Sequence, residues 1–244
     1  MKGKQVLITG GGSGVGADLA LGFAAEGADV VIAGRRQGAL DAVVARAPGL
    51  RAVVADVTDE ASVAALFSAA GRCDVVIANA GAADSMPFAR MTLDHWTAMI
   101  AANLTGTFLT FREGLRQMTP GGRLIAIASV AGLKGYPYVA GYAAAKHGVI
   151  GLVRSVAEEV ARKEITANAI CPGYLETEMT DRTLANIATT TGLPEREARA
   201  ALAAKSPQNR LFQPAEVTAA ALWLCSDGAR GVNGQAITIA GGAP

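Results

Sequence analysis

Tyr142 and Lys146 stand four residues apart in Gly141-Tyr-Ala-Ala-Ala-Lys146, and Ser129 lies thirteen residues before the tyrosine. On a helix, residues i and i+4 share a face, so this spacing points a phenol and an ammonium the same way. A free tyrosine titrates near pH ~10 and is a poor acid–base group at neutral pH. A cation beside it favours the phenolate and lowers that pKa. The phenol can then exchange a proton with a substrate oxygen, and a serine hydroxyl can hydrogen-bond the same oxygen. The competing reading is an alanine-rich helix that carries a tyrosine and a lysine for no chemical purpose, since Tyr-x-x-x-Lys is common by chance. The N-terminal residues weigh against it.

The apolar run Val6 to Ile8 ends in glycines at 10, 11, 12, 14 and 16, then gives way to Leu19, Ala20 and Phe23 at helical spacing. That pattern is strand, tight turn, helix. Glycines let a backbone approach a ligand closely, and a helix N-terminus offers free N–H groups and the positive end of a dipole. Together they suit a diphosphate. Gly12, Gly14 and Ala17 match the G-x-G-x-x-A pattern of dinucleotide binders in its strand-then-helix context. A second strand, Asp29 to Ala33, ends in Gly34-Arg35-Arg36. Folds that select NAD usually place Asp or Glu about 20 residues after the glycines. A carboxylate there repels a 2′-phosphate, whereas an arginine fork binds one. Arg35 and Arg36 therefore favour NADP(H), with NAD(H) possible if both are merely solvated. Asp56 ends a further strand, where it either accepts from an adenine amine or serves as a turn residue ahead of Asp59-Glu60. Another apolar strand ends in Asn79-Ala80-Gly81, small enough to pass close under a ribose.

Taken in order, these residues resemble the short-chain dehydrogenase/reductase family over essentially the whole chain. The matching set is Thr9-Gly10-x-x-x-Gly14-x-Gly16, Asp56, Asn79-Ala80-Gly81, Asn103, Ser129, Tyr142-x-x-x-Lys146 and Pro172-Gly173, with Thr177 downstream. Departures are small: Ala78 stands where a second asparagine is common, Val15 replaces a frequent isoleucine, Ser13 is not basic, and Ala240 stands where an acid often precedes the last glycine pair. The resemblance implies a hydride exchanged between a nicotinamide and a carbonyl or secondary alcohol. It assigns Tyr142 as the acid–base, Ser129 as the hydroxyl that holds the substrate oxygen, and Lys146 as the cation that also binds the nicotinamide ribose. Asn103 is implied to bind a water linked to the lysine. Gly10, Gly12, Ser13, Gly14, Val15 and Gly16 fall to the diphosphate, Asp56 and Val57 to the adenine side, and Pro172, Gly173, Leu175 and Thr177 to the nicotinamide side. Asn103 in Ile100-Ala-Ala-Asn-Leu is notable for a second reason, because asparagine competes for helix backbone groups. The nearest likeness is to reductases of 3-oxoacyl thioesters and polyketides. Dehydrogenation of a hydroxyacyl, steroid or sugar alcohol is the alternative, and a non-catalytic nucleotide-binding protein is a third.

These side chains need a frame. The chain has 244 residues, 51% of them apolar, which suits one large core. Strands are expected at 4–9, 29–33, 51–55, 73–78, 122–128, 165–171 and 235–239. Helices are expected near 14–26, 38–46, 59–70, 93–118, 140–162 and 214–226. Such alternation predicts an α/β protein of one domain, a Rossmann fold with a doubly wound, seven-stranded parallel sheet and helices on both faces. The excursion at 174–210, with Thr177, Thr180, Thr183 and a Thr189-Thr190-Thr191 run, reads as short helices forming a substrate lid. Leu133, Tyr136, Tyr138 and Met179 predict an apolar or aromatic pocket wall.

With 22 Lys plus Arg against 21 Asp plus Glu, the charge is close to balanced, so neither nucleic acid nor an anionic membrane is an expected partner. No apolar stretch approaches the ~18 residues needed to span a bilayer. The N-terminus reads straight into the first strand, which leaves no room for a signal peptide. Cys73, Cys171 and Cys225 are read as free buried thiols in a reducing cytoplasm, and with only His95 and His147 no metal site is expected. The long helices near 93–118 and 140–162 carry Trp96, Met99, Phe108, Phe111, Leu152 and Val156, more apolar surface than one sheet face covers. Together with the C-terminal Ala240-Gly-Gly-Ala-Pro244, they are read as the contacts of a homotetramer.

Overall fold

The computed structural model describes residues 1–243, apart from the side chains of Arg182, Ile187, Thr190 and Thr191. Pro244 and the Thr190 and Thr191 hydroxyls of the expected lid thus lie outside the described residues. Seven strands form one parallel sheet in the order β3-β2-β1-β4-β5-β6-β7. They are β1 (Gln5–Thr9), β2 (Asp29–Gly34), β3 (Leu50–Val54), β4 (Val75–Ala78), β5 (Arg123–Ile127), β6 (Thr166–Pro172) and β7 (Ala236–Ile239). Ile8 of β1 is level with Ile32 of β2 on one side and Ile77 of β4 on the other. Strand order reverses at that point, and the crevice it opens lies beyond the carboxyl ends of the strands.

The central strands read as near-continuous Val, Ile, Leu and Ala because both sheet faces are covered. One face packs on α1 (Gly14–Ala25), α2 (Gln37–Val44) and α9 (Pro214–Leu224), through Leu19, Phe23, Leu40, Val43, Val217 and Leu224. The other packs on α3 (Glu60–Ala70), α5 (Gly106–Gln117) and α6 (Ala140–Val160), through Leu66, Phe67, Leu109, Phe111, Val149 and Val153. Each fully buried side chain of this size contributes roughly 1.5–3 kcal/mol over the exposed state. Helix starts follow local chemistry. Asp59 caps α3 by accepting from the Ser62 N–H at 3.0 Å. Gln213 and Glu216 form a reciprocal capping box on α9, with Pro214 in its first turn.

The single helix expected over 93–118 is interrupted. α4 (Leu93–Ile100) passes into a π-helical turn, Ala101–Thr105, before α5 begins. The cause is Asn103, whose Nδ2 donates to the Met99 carbonyl at 2.9 Å, the group its own backbone N–H would otherwise claim. Beyond β6 the chain forms α7 (Glu178–Thr191) and α8 (Glu195–Ala203). Leu184, Ala198, Leu202 and Leu211 make a small separate cluster there, with Tyr174 packed against it. Cys73 and Cys171 are buried free thiols, while Cys225 is free but only half-buried. Among the described residues no helix is long and apolar enough to cross a membrane.

Candidate active site

The glycine-rich turn joins β1 to α1. Gly10 and Gly14 have φ values of +69° and +51°, where an L side chain is strained. A Cβ on Gly16 would fall 2.1 Å from the Gly10 carbonyl oxygen, so only glycine lets the helix begin this close to the loop. Ser13 is the N-cap residue, its hydroxyl makes no cap bond, and the first turn of α1 contains no acid to oppose a bound anion. Asn79 is a latch. Its Nδ2 donates to the carbonyls of Thr9 at 3.0 Å and Gly10 at 3.1 Å. In return the Thr9 hydroxyl accepts from the N–H groups of Asn79 and Ala80, at 3.1 and 3.2 Å. The amide of Asn79 thus holds the glycine loop in shape, with Ala80 and Gly81 following it at the sheet edge.

Arg35 and Arg36 are exposed beyond β2, and among the described residues neither guanidinium has a hydrogen bond or ion pair. Asp56 is a turn residue. Its Oδ1 accepts from the Thr58 N–H at 2.9 Å and the Thr58 hydroxyl at 2.7 Å. Those bonds, and then the charge of Arg35, hold its carboxyl below the usual range. Val57 packs against Gly106, whose missing Cβ would lie 2.8 Å from the Val57 Cγ2.

The reactive set gathers at the carboxyl ends of β4, β5 and β6. Ser129 follows β5, and its Oγ accepts from the Ala131 N–H at 3.1 Å. Tyr142 lies in the first turn of α6, half-buried, with the Ser129 hydroxyl hydrogen-bonded to it. One turn on, Lys146 is buried, its Nζ 5.6 Å from the Tyr142 ring centre and donating to the Ile127 carbonyl at 2.8 Å. Asn103 is fully buried behind them. Its Nδ2 also donates to the Ala82 carbonyl at 2.9 Å, and its Oδ1 accepts from the Ala82 N–H at 3.3 Å. Gly81 is required by this pair, because a Cβ there would fall 2.6 Å from Asn103 Oδ1 and 3.7 Å from Lys146 Nζ.

The electrostatics correct one expectation. Burial raises the Tyr142 phenol above its ordinary pKa, opposed by the Ser129 hydrogen bond and reinforced by Tyr174 and Cys171. Lys146 does not overcome this, and burial pushes its own pKa down to about 8. Desolvation penalises both charged forms at once. A phenol carries its proton at neutral pH in any case, and that is the form that reduction of a carbonyl needs.

On the far side, β6 ends in Pro172, and the Gly173 N–H donates to the Ile239 carbonyl at 2.9 Å. Leu175 is buried and bridges to Phe212. Thr177 packs over the glycine loop, its Cγ2 3.5 Å from where a Gly14 Cβ would stand. Between these parts runs a crevice lined by Val130, Tyr136, Tyr174, Leu202, Phe212 and Ala240. Of the expected wall, Tyr136 lines it, Tyr138 and Met179 are exposed, and Leu133 packs into the core instead. Tyr174 and the Cys171 thiol are neighbours of the site that the sequence reading does not name. Tyr174 directly follows Pro172-Gly173, an adjacency visible in the chain, whereas Cys171 shows only in three dimensions.

A doubly wound sheet with a glycine loop at its switch point, and a serine, tyrosine and lysine at its edge, defines a nucleotide-dependent oxidoreductase. Comparison with known proteins agrees. The profile of the family described as enoyl-(acyl carrier protein) reductase matches residues 10–244. The 3-oxoacyl-[acyl-carrier-protein] reductase of Thermotoga maritima is 36% identical, over 99% of this chain and 98% of its own. The cis-4-hydroxycyclohexanecarboxylate dehydrogenase of Sinomonas cyclohexanicum is 39% identical, over 98% and 96%. The crystal structure of a point variant of actinorhodin polyketide ketoreductase with NADPH superposes with a TM-score of 0.91 at 31% identity, covering 98% of this chain and 96% of that one. The chain belongs to the short-chain dehydrogenase/reductase family, oxidoreductases that interconvert carbonyl and CH–OH groups.

Proposed function

We propose that this protein reduces a 3-oxoacyl thioester or similar ketone with NADPH, Tyr142 delivering the proton. The carrying observation is the convergence of Ser129, Tyr142 and Lys146 on one sheet edge. When bound, the nicotinamide supplies the hydride. The Ala131 N–H fixes the Ser129 oxygen, and in the substrate complex the serine's hydroxyl hydrogen bond passes from Tyr142 to the substrate oxygen as its acceptor. Tyr142 donates to that oxygen as charge develops on it. Lys146 would bind the ribose hydroxyls of the cofactor, and its ammonium would stabilise the phenolate left on Tyr142 until a proton returns to it. Asn103 is the positioning residue that fixes the loop at Ala82 behind the lysine.

The residues that would hold the cofactor fit it. Gly10, Gly12, Ser13, Gly14, Val15 and Gly16 offer a helix N-terminus free of acids for a diphosphate. Arg35 and Arg36, exposed and among the described residues without a hydrogen bond or ion pair, suit a 2′-phosphate. In this reading Asp56 and Val57 would serve the adenine side, Asn79, Ala80 and Gly81 the ribose, and Pro172, Gly173, Leu175 and Thr177 the carboxamide. The NADPH of the ketoreductase neighbour supports the same choice. α7 and α8 act as the substrate lid, the protein works in the cytoplasm, and it assembles as a homotetramer. The 39% identity to a cyclic hydroxy-acid dehydrogenase favours a second reading, oxidation of a secondary alcohol with NAD. Absorbance of the reduced nicotinamide, followed across ketones and alcohols with each cofactor, decides. Turnover of 3-oxoacyl thioesters with NADPH is expected, and activity only on alcohols with NAD would overturn the first reading.

A further inference from the structure

Tyr138 holds a backbone conformation that its side chain disfavours. Its φ is +68°, in the left-handed region where a bulky L-residue is an outlier. Two other non-glycine residues share a positive φ, and each has an ordinary reason. Asn209 is a residue type that tolerates it, and Glu164 ends the 3-10 turn Ala161–Lys163. Packing does not repay Tyr138, which is 63% exposed. Its carbonyl accepts from the Met86 N–H at 2.7 Å, a clip between the loop after β4 and the segment before α6. Glycine would make the same backbone bond without strain. The clip accounts for the φ but not for the tyrosine. Strain of this kind collects at functional sites, and Tyr138 stands four residues before Tyr142 and two after Tyr136 of the crevice.

We infer that Tyr138 is a specificity residue. The Met86 clip fixes the backbone from which its exposed ring projects, and the ring packs on an apolar or aromatic part of the ketone while Ser129 and Tyr142 engage the oxygen. This rests on the carbonyl-reduction reading, so the test separates the two. Tyr138→Gly and Tyr138→Phe are compared with wild type on 4-phenyl-2-butanone and 2-butanone. In Tyr138→Gly, the preference for the phenyl ketone should fall about tenfold, a contact worth one decade, with the loss in KM rather than kcat. Tyr138→Phe should retain the preference. The Tm of Tyr138→Gly should hold or rise, because the strain is gone. An unchanged preference, or a Tm lower by about 5 °C or more, would overturn the assignment. If wild type turns over neither ketone, the reaction reading is judged separately by 3-oxoacyl thioesters with NADPH, and calorimetric binding of 4-phenyl-2-butanone still judges the lip. Weaker binding to Tyr138→Gly supports it, whereas equal affinity, or binding to neither protein, overturns it.

Discussion

Burial raises the Tyr142 pKa and lowers that of Lys146, and that has consequences a sequence motif does not carry. Removing the phenol in Tyr142→Phe should lower turnover by ~10² or more, the scale of acid–base catalysis, with cofactor affinity nearly intact. Equilibrium binding beside steady-state rates checks it. For Lys146 the sign can be worked through. The folded pKa is about 8 against 10.5 for the free side chain. Between those values the unfolded chain keeps a proton that the folded chain has lost, so this residue adds stability as pH rises from 8 to 10.5. Below pH 8 its burial cost is present in full, about 3 kcal/mol at ~1.4 kcal/mol per pKa unit. Lys146→Met should therefore be inactive yet no less stable at pH 7, with a gain of up to about 1.5 kcal/mol once the charged bond to Ile127 is subtracted. Its advantage should shrink towards pH 10, as thermal unfolding at both pH values would reveal. At the cofactor, Arg35→Gln should weaken NADPH by ~1.5–3 kcal/mol, the range of a charged hydrogen bond, and barely affect NADH. Equal losses for both would remove the phosphate role.

Among elements, the π turn at Ala101–Thr105 matters most. It exists because the Asn103 side chain takes the Met99 carbonyl and grips both polar groups of Ala82. π turns recur at functional sites for this reason: they put a polar side chain where a regular helix would bury an apolar one. Asn103→Leu fills the same space but leaves these partners unsatisfied. It should cost about 1–3 kcal/mol and lower turnover by freeing the loop at Ala82. Urea unfolding gives the first quantity and steady-state kinetics the second. α7 and α8 meet through Leu184, Ala198 and Leu202, and with Leu211 these make a small cluster apart from the two faces of the sheet.

For the whole molecule the question is which apolar surface is left over. Met99 and Phe111 turn inward and Val156 packs on the core, so three of the six side chains expected on the outside are not available. Leu152 is half-buried. Trp96 and Phe108 remain exposed, with Leu93 beside them at 77% and Trp223 of α9 exposed at 47% on a different element. Two separate apolar faces suit two kinds of two-fold contact. Sedimentation at micromolar concentration should give a tetramer, and Phe108→Glu should give a smaller species. A wild-type monomer would end the proposal.

Sequence alone determined the sheet, the glycine turn and the family, because all three rest on local rules. Apolar strands buried on both faces, glycines before a helix, and an i, i+4 pair on a helix leave marks within a few residues of each other. It did not determine the break at Asn103, because a π turn depends on a carbonyl and a loop that the asparagine reaches only after folding. Nor did it give the right sign for the Tyr142 shift. A neighbouring cation is visible in the chain, whereas desolvation is a property of everything packed around the pair. The split between inward Met99 and outward Phe108 was hidden for the same reason: helical periodicity marks an apolar residue, and only packing decides whether it faces its own sheet or another molecule.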